Sequence, residues 1–110
     1  MQVQDLEQWV KSQEEQIEEV LQQFVDLNTF TGNEIGVKQG MEIISDLALD
    51  MGFVVEAVNE NHRLIKAIKG QGQPRILLIS HMDTVFPPDG AFLTYQSLAD
   101  GFVQGPGVGD

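Results

Sequence analysis

His81 and Asp83 stand one residue apart at the end of an apolar run, "ILLISHMD", and Asp110 follows a glycine-framed stretch, "GPGVG". An imidazole and two carboxylates are groups that can ligate a divalent cation, move a proton, or simply close a turn. In extended chain, residues i and i+2 point to the same side, so the Asp83 carboxylate can approach one ring nitrogen of His81 while the other faces a cation. Such a partner fixes the tautomer and raises the basicity of the ligand. Gly105, Gly107 and Gly109 remove side chains ahead of Asp110 and would let the backbone bring that carboxylate to a crowded centre. There its oxygens could bridge two cations about 3.5 to 4 Å apart, the spacing of hydrolytic two-metal sites. Taken singly, each feature also has a plainer reading. Asp83 could accept backbone hydrogen bonds in a turn toward Pro87-Pro88, His81 could be a satisfied strand end, and the glycines could be a turn with no cargo.

The remaining candidates for chemistry are weaker. Glu14, Glu15, Glu18 and Glu19 fall at helical spacing beside Gln13 and Gln16 and read as a solvated helix face. His62, between Asn61 and Arg63, reads as a solvent-facing turn residue. Seventeen acidic against six basic residues give a formal charge of -11, which repels phosphate backbones and anionic lipid surfaces, so neither nucleic acid nor membrane is an expected partner. The absence of cysteine excludes disulfides and thiolate metal sites. No secretory signal pattern opens the chain and no apolar run is long enough to span a bilayer, so the cytoplasm is the expected compartment.

The elements that must position these side chains follow from periodicity. Val3, Leu6, Val10, Ile17, Val20, Leu21 and Phe24 predict one long amphipathic helix from about Asp5 to Leu27, with Trp9 packed against the core. "NTFTGNE" supplies turn and capping residues. Val37, Met41, Ile44, Leu47 and Met51 predict a second helix closed by Gly52, and its internal Gly36 and Gly40 imply close packing against another backbone. The four methionines read as core filler. The period then changes to two: "FVVEAV" and "RLIKAIK" predict an antiparallel hairpin turning at "NENH". "RILLIS" has the continuous apolar character of an interior strand covered on both faces. "FLTYQSLADGFVQ" carries an Asp100-Gly101 turn between two short extended pieces. At 110 residues the expectation is one α/β domain, two N-terminal helices packed on a mixed sheet. Ligands of such sheets gather beyond the carboxyl ends of the strands, where His81 and Asp83 lie.

Together, the apolar strand, "SHMDTVFP" and "GPGVGD" resemble the zinc-dependent family of glutamate carboxypeptidases, aminoacylases, peptidase T and succinyl-diaminopimelate desuccinylase. With "LALDMGFVVE" looking like the family's second helix running into its first strand, the likeness covers nearly the whole chain. The resemblance implies a partial zinc-exopeptidase-like catalytic domain, with two Zn2+ (or Co2+) in the intact parent enzyme. It further implies that His81 ligates one zinc, that Asp83 serves catalysis by orienting His81, and that Asp110 bridges the two metals. Pro106 stands where many members carry a basic residue, which is most similar to the glutamate carboxypeptidase branch. The implied substrates are peptides or N-acyl amino acids. In the family, later segments supply a Glu-Glu pair, another acidic ligand, a distant histidine and a lid or dimerisation domain. The expectation for these 110 residues is therefore an N-terminal fragment that binds zinc weakly or not at all, is inactive alone, and exposes a strand edge prone to homo-oligomer formation. A different class is also carried forward: a binding or assembly module that keeps the fold fragment without chemistry.

Overall fold

A computed structural model describes residues 2–58, 65–73 and 75–110. In chain order its elements are α1 (Val3–Ser12), α2 (Glu14–Asp26), α3 (Glu34–Asp50), β1 (Val54–Ala57), β2 (Ile65–Ile68), β3 (Gln96–Ser97) and β4 (Val103–Gln104). They fall into two compact units, Met1–Leu27 with Ala91–Asp110, and Asn28–Gly90. The α/β character holds. The single mixed sheet does not: among the described residues there are two separate two-stranded antiparallel sheets, β1-β2 and β3-β4. No helix among the described residues is long and apolar enough to cross a membrane.

In the first unit the expected long helix is two helices. Asp5 accepts from the Gln2 amide at 3.0 Å and starts α1. The Ser12 hydroxyl then donates to the Trp9 carbonyl at 2.6 Å, and Gln13 flattens to ψ -1°. A serine that satisfies a carbonyl within its own turn competes with the helical ladder, which breaks there and restarts with the Ile17 amide on the Gln13 carbonyl. Trp9 does not pack into the core; α1 has no buried residue and Trp9 is 61% exposed. The apolar stripe of α1 and α2 instead lines, with Phe102 and Val103, an open groove of about 860 Å³. The buried point of this unit is Val25, 3% exposed, against Gly105, where an added Cβ would lie 2.3 Å from Val25 Cγ1. β3 and β4 pair Gln96 with Gln104 and Ser97 with Val103, joined by Asp100 (φ 64°) and Gly101 (φ 78°) as the Asp-Gly pattern predicts.

The second unit is built on α3. The Asn33 side chain caps it by accepting from the Gly36 amide at 3.1 Å. At the other end Gly52 adopts φ 84°, its amide bonds the Leu49 carbonyl, and the Phe53 amide bonds the Ala48 carbonyl, a Schellman closure. Lys69 Nζ also donates to the Met51 carbonyl at 2.6 Å. The chain turns directly into β1, which pairs with β2 from Val54↔Ile68 to Ala57↔Ile65, and α3 packs on both strands. The "NENH" turn and His62 lie outside the described residues. Gly36 answers the expectation of close backbone packing, since a Cβ there would meet the Asn28 carbonyl at 1.8 Å. At Gly40 the neighbour is a side chain, Met82 Sδ at 2.7 Å from the added Cβ.

"RILLIS" is not an interior strand. No described strand pairs with it, and Ile76, Leu77, Leu78 and Ile79 are 87%, 80%, 89% and 86% exposed. A two-sided apolar strand needs ladder neighbours and a covering layer on each face, and among the described residues neither runs beside these four.

Candidate metal centre

Beyond Ile79 the chain is fixed again by the loop that precedes α3. Phe30 and Thr84 form a parallel bridge, in which the Thr84 amide donates to the Thr29 carbonyl at 2.8 Å and the Thr31 amide to the Thr84 carbonyl at 3.0 Å. Asn28 extends this clamp, its Nδ2 donating to the Phe86 carbonyl at 3.0 Å, while Asn33 Nδ2 bonds Asn28 Oδ1 at 3.0 Å and its carbonyl at 3.1 Å. Thr29 is buried beneath it, and Met82 packs on Gly40. Asp83 therefore leaves a backbone held on both sides.

The Asp83 carboxylate is divided between two partners. Its Oδ2 accepts from Thr31 Oγ1 at 2.7 Å, and its Oδ1 lies 3.3 Å from His81 Nδ1. The same Nδ1 is 2.9 Å from the Asp83 carbonyl. A carbonyl oxygen only accepts, so Nδ1 is the donor in this contact, and in the neutral tautomer that makes it, Nε2 is the nitrogen left with a lone pair. The Thr31 hydroxyl, together with the Asp83 backbone and His81, holds the Asp83 carboxyl below its ordinary value of 3.8, and partial desolvation opposes them. Both side chains remain open to solvent, His81 at 65% and Asp83 at 40%. The expected i, i+2 pairing is thus the arrangement seen.

Asp110 belongs to the other unit. It ends a pair of turns in which the Val108 amide bonds the Gly105 carbonyl and the Asp110 amide bonds the Gly107 carbonyl, each at 3.2 Å. The three glycines serve different ends. Gly105 makes room for Val25, and Gly107 takes φ 74°. Gly109 faces open space, so no crowded centre surrounds it. The glutamates of α2 are exposed as expected, but Glu18 is also the acceptor for the Tyr95 hydroxyl at 2.7 Å.

An imidazole whose Nδ1 is held by a carboxylate and a carbonyl is the usual form of a histidine ligand to zinc, and His81 has both partners. The number of donors is short of a full site, since zinc takes about four ligands and no group of three or more histidine, aspartate or glutamate side chains gathers among the described residues. Sequence reasoning missed Thr31, Asn28 and Asn33 as site-building residues. Polar "NTFTGN" announced a turn, and nothing local to it announced a bond to residues more than fifty positions away. Comparison with protein-family models, with curated proteins and with solved structures returns no match.

Proposed function

We propose that this chain carries the N-terminal share of a two-zinc amide-bond hydrolase, of the glutamate carboxypeptidase kind, acting on peptides or N-acyl amino acids. The observation that carries the reading is the His81 ring, tied through Nδ1 to Asp83 and offering Nε2. In this role His81 would be a metal ligand and Asp83 would set its ring and tautomer, and the family resemblance gives Asp110 the part of a further carboxylate ligand. Two Zn2+, or Co2+ in their place, would supply Lewis-acid polarisation of the scissile carbonyl and an acidified water. On this reading the remaining ligands and a general base would come from residues other than His81, Asp83 and Asp110, and weak metal binding with no activity is the expected behaviour of these 110 residues. Calorimetric titration with zinc tests this. Weak heat that disappears in His81→Ala is the expected result; equal heat in both proteins sinks the assignment of His81.

The exposed Ile76–Ile79 run fits a fragment of a larger sheet; the second reading, a non-catalytic binding or assembly module that keeps the fold fragment, expects a stable monomer instead. Under it, His81→Ala changes neither zinc heat nor association.

A further inference from the structure

We infer that Thr31 is the positioning residue of this centre: its hydroxyl locks the Asp83 carboxylate so that one oxygen is reserved for His81. The inference rests on the two-zinc reading for its functional meaning, and on geometry for its substance. A threonine hydroxyl has one proton and two acceptors within reach, Asp83 Oδ2 at 2.7 Å and the Thr84 carbonyl at 3.2 Å. The Thr84 carbonyl already receives the Thr31 amide, and the carboxylate is both nearer and charged, so the proton goes to Asp83. Thr31 cannot drift from this position, because its amide and the flanking Thr29 carbonyl are both paired with Thr84. With Oδ2 held there, rotation of the carboxylate about its own bond is stopped and Oδ1 stays beside His81 Nδ1. Remove the hydroxyl, and Oδ1 and Oδ2 become interchangeable and mobile. The imidazole then keeps only the Asp83 carbonyl as an acceptor.

The role acts at second hand, so its test needs a readout that simple structural support would not move. The ring nitrogens of His81, followed by 15N NMR in metal-free protein at about pH 8, where an ordinary imidazole is neutral, report which nitrogen holds the proton. Thr31→Val removes the hydroxyl at nearly constant shape, and Thr31→Ser keeps it. The expected result is a ring proton on Nδ1 in the wild type, a measurable minor population on Nε2 in Thr31→Val, where the Asp83 carbonyl alone still favours Nδ1, and recovery in Thr31→Ser. Zinc affinity should fall about tenfold in Thr31→Val, the low end of what losing an outer-shell partner costs, and return in Thr31→Ser. An unchanged tautomer in folded Thr31→Val overturns the inference, as does equal zinc affinity in all three proteins. If no protein binds zinc while the tautomer shifts as described, the positioning role stands and the two-zinc reading falls. Should Thr31→Val not fold, the wild type decides: one fixed Thr31 χ1 rotamer, read from three-bond couplings, supports the lock, and averaging over rotamers overturns it.

Discussion

Glu18 lies in a run of acidic residues whose sequence context speaks only of solvation, yet it takes the proton-donating end of Tyr95 at 2.7 Å, while the Tyr95 amide donates to Asp26 at 2.7 Å. Both bonds tie the segment before β3 onto α2. The hydrogen bond to Glu18, then partial desolvation, then the charge of Glu18 raise the Tyr95 phenol above its ordinary value of 10.0. The sign follows from which form the folded state prefers. A raised acid binds its proton more tightly when folded, so its contribution to stability is complete below pH 10.0 and is lost as pH rises through the higher folded value. Tyr95 is the single tyrosine of the chain, so ultraviolet titration of tyrosinate reads it alone. The expected midpoint lies above 10.0 in the wild type and moves down in Glu18→Gln. Identical midpoints would mean that the bond does not persist in solution. At this scale the His81-Asp83 pairing was legible because it depends only on the two-residue period of extended chain. Thr31-Asp83 and Tyr95-Glu18 were not, because they join residues 52 and 77 positions apart and no local pattern encodes a partner at that range.

Helix α3 shows how far an element can be read and where the reading stops. Its apolar spacing, a cap somewhere in "NTFTGNE" and its Gly52 closure were visible in the sequence, each being set by the residues of the helix and its ends, and the structure gives the cap to Asn33. The break between α1 and α2 was not, because it turns on the Ser12 hydroxyl choosing the Trp9 carbonyl over water. Gly36 and Gly40 look equivalent in the sequence and are not equivalent in the structure. Alanine at either gains about 1 kcal/mol of helix propensity. At Gly36 the new Cβ meets the Asn28 backbone carbonyl at 1.8 Å and cannot be accommodated unless the helix moves off the loop that holds Thr84. At Gly40 it meets Met82 Sδ at 2.7 Å, and a methionine can change rotamer. Chemical denaturation should therefore find Gly36→Ala destabilised by about 1 to 3 kcal/mol, as overpacking against fixed structure costs, and Gly40→Ala within about 1 kcal/mol of the wild type. Equal effects at the two positions would contradict the backbone approach at Gly36.

Across the described residues, Val25, Met41 and Pro106 are the apolar side chains buried, while Ile76 to Ile79 stand in solvent. The sequence revealed that this segment is made for burial and could not reveal what buries it, since a two-sided strand is defined by neighbours that lie elsewhere in sequence. An unpaired apolar strand is a template for another chain, and burying one leucine or isoleucine side chain fully stabilises a contact by about 1.5 to 3 kcal/mol. Four such side chains from each of two copies outweigh the losses of weak association, but a charge of -11 on each copy opposes the approach. Salt screens that repulsion over about 8 Å at physiological ionic strength and leaves the apolar contact intact. Sedimentation at rising protein concentration should thus show self-association that strengthens with added salt. Leu78→Lys puts a charge into the pairing surface at a position 89% exposed, where the monomer's own stability changes by no more than about 0.5 kcal/mol. Association should weaken about tenfold or more. A wild type that stays monomeric at high salt, or a Leu78→Lys protein that associates equally well, would show that these four residues are not the contact.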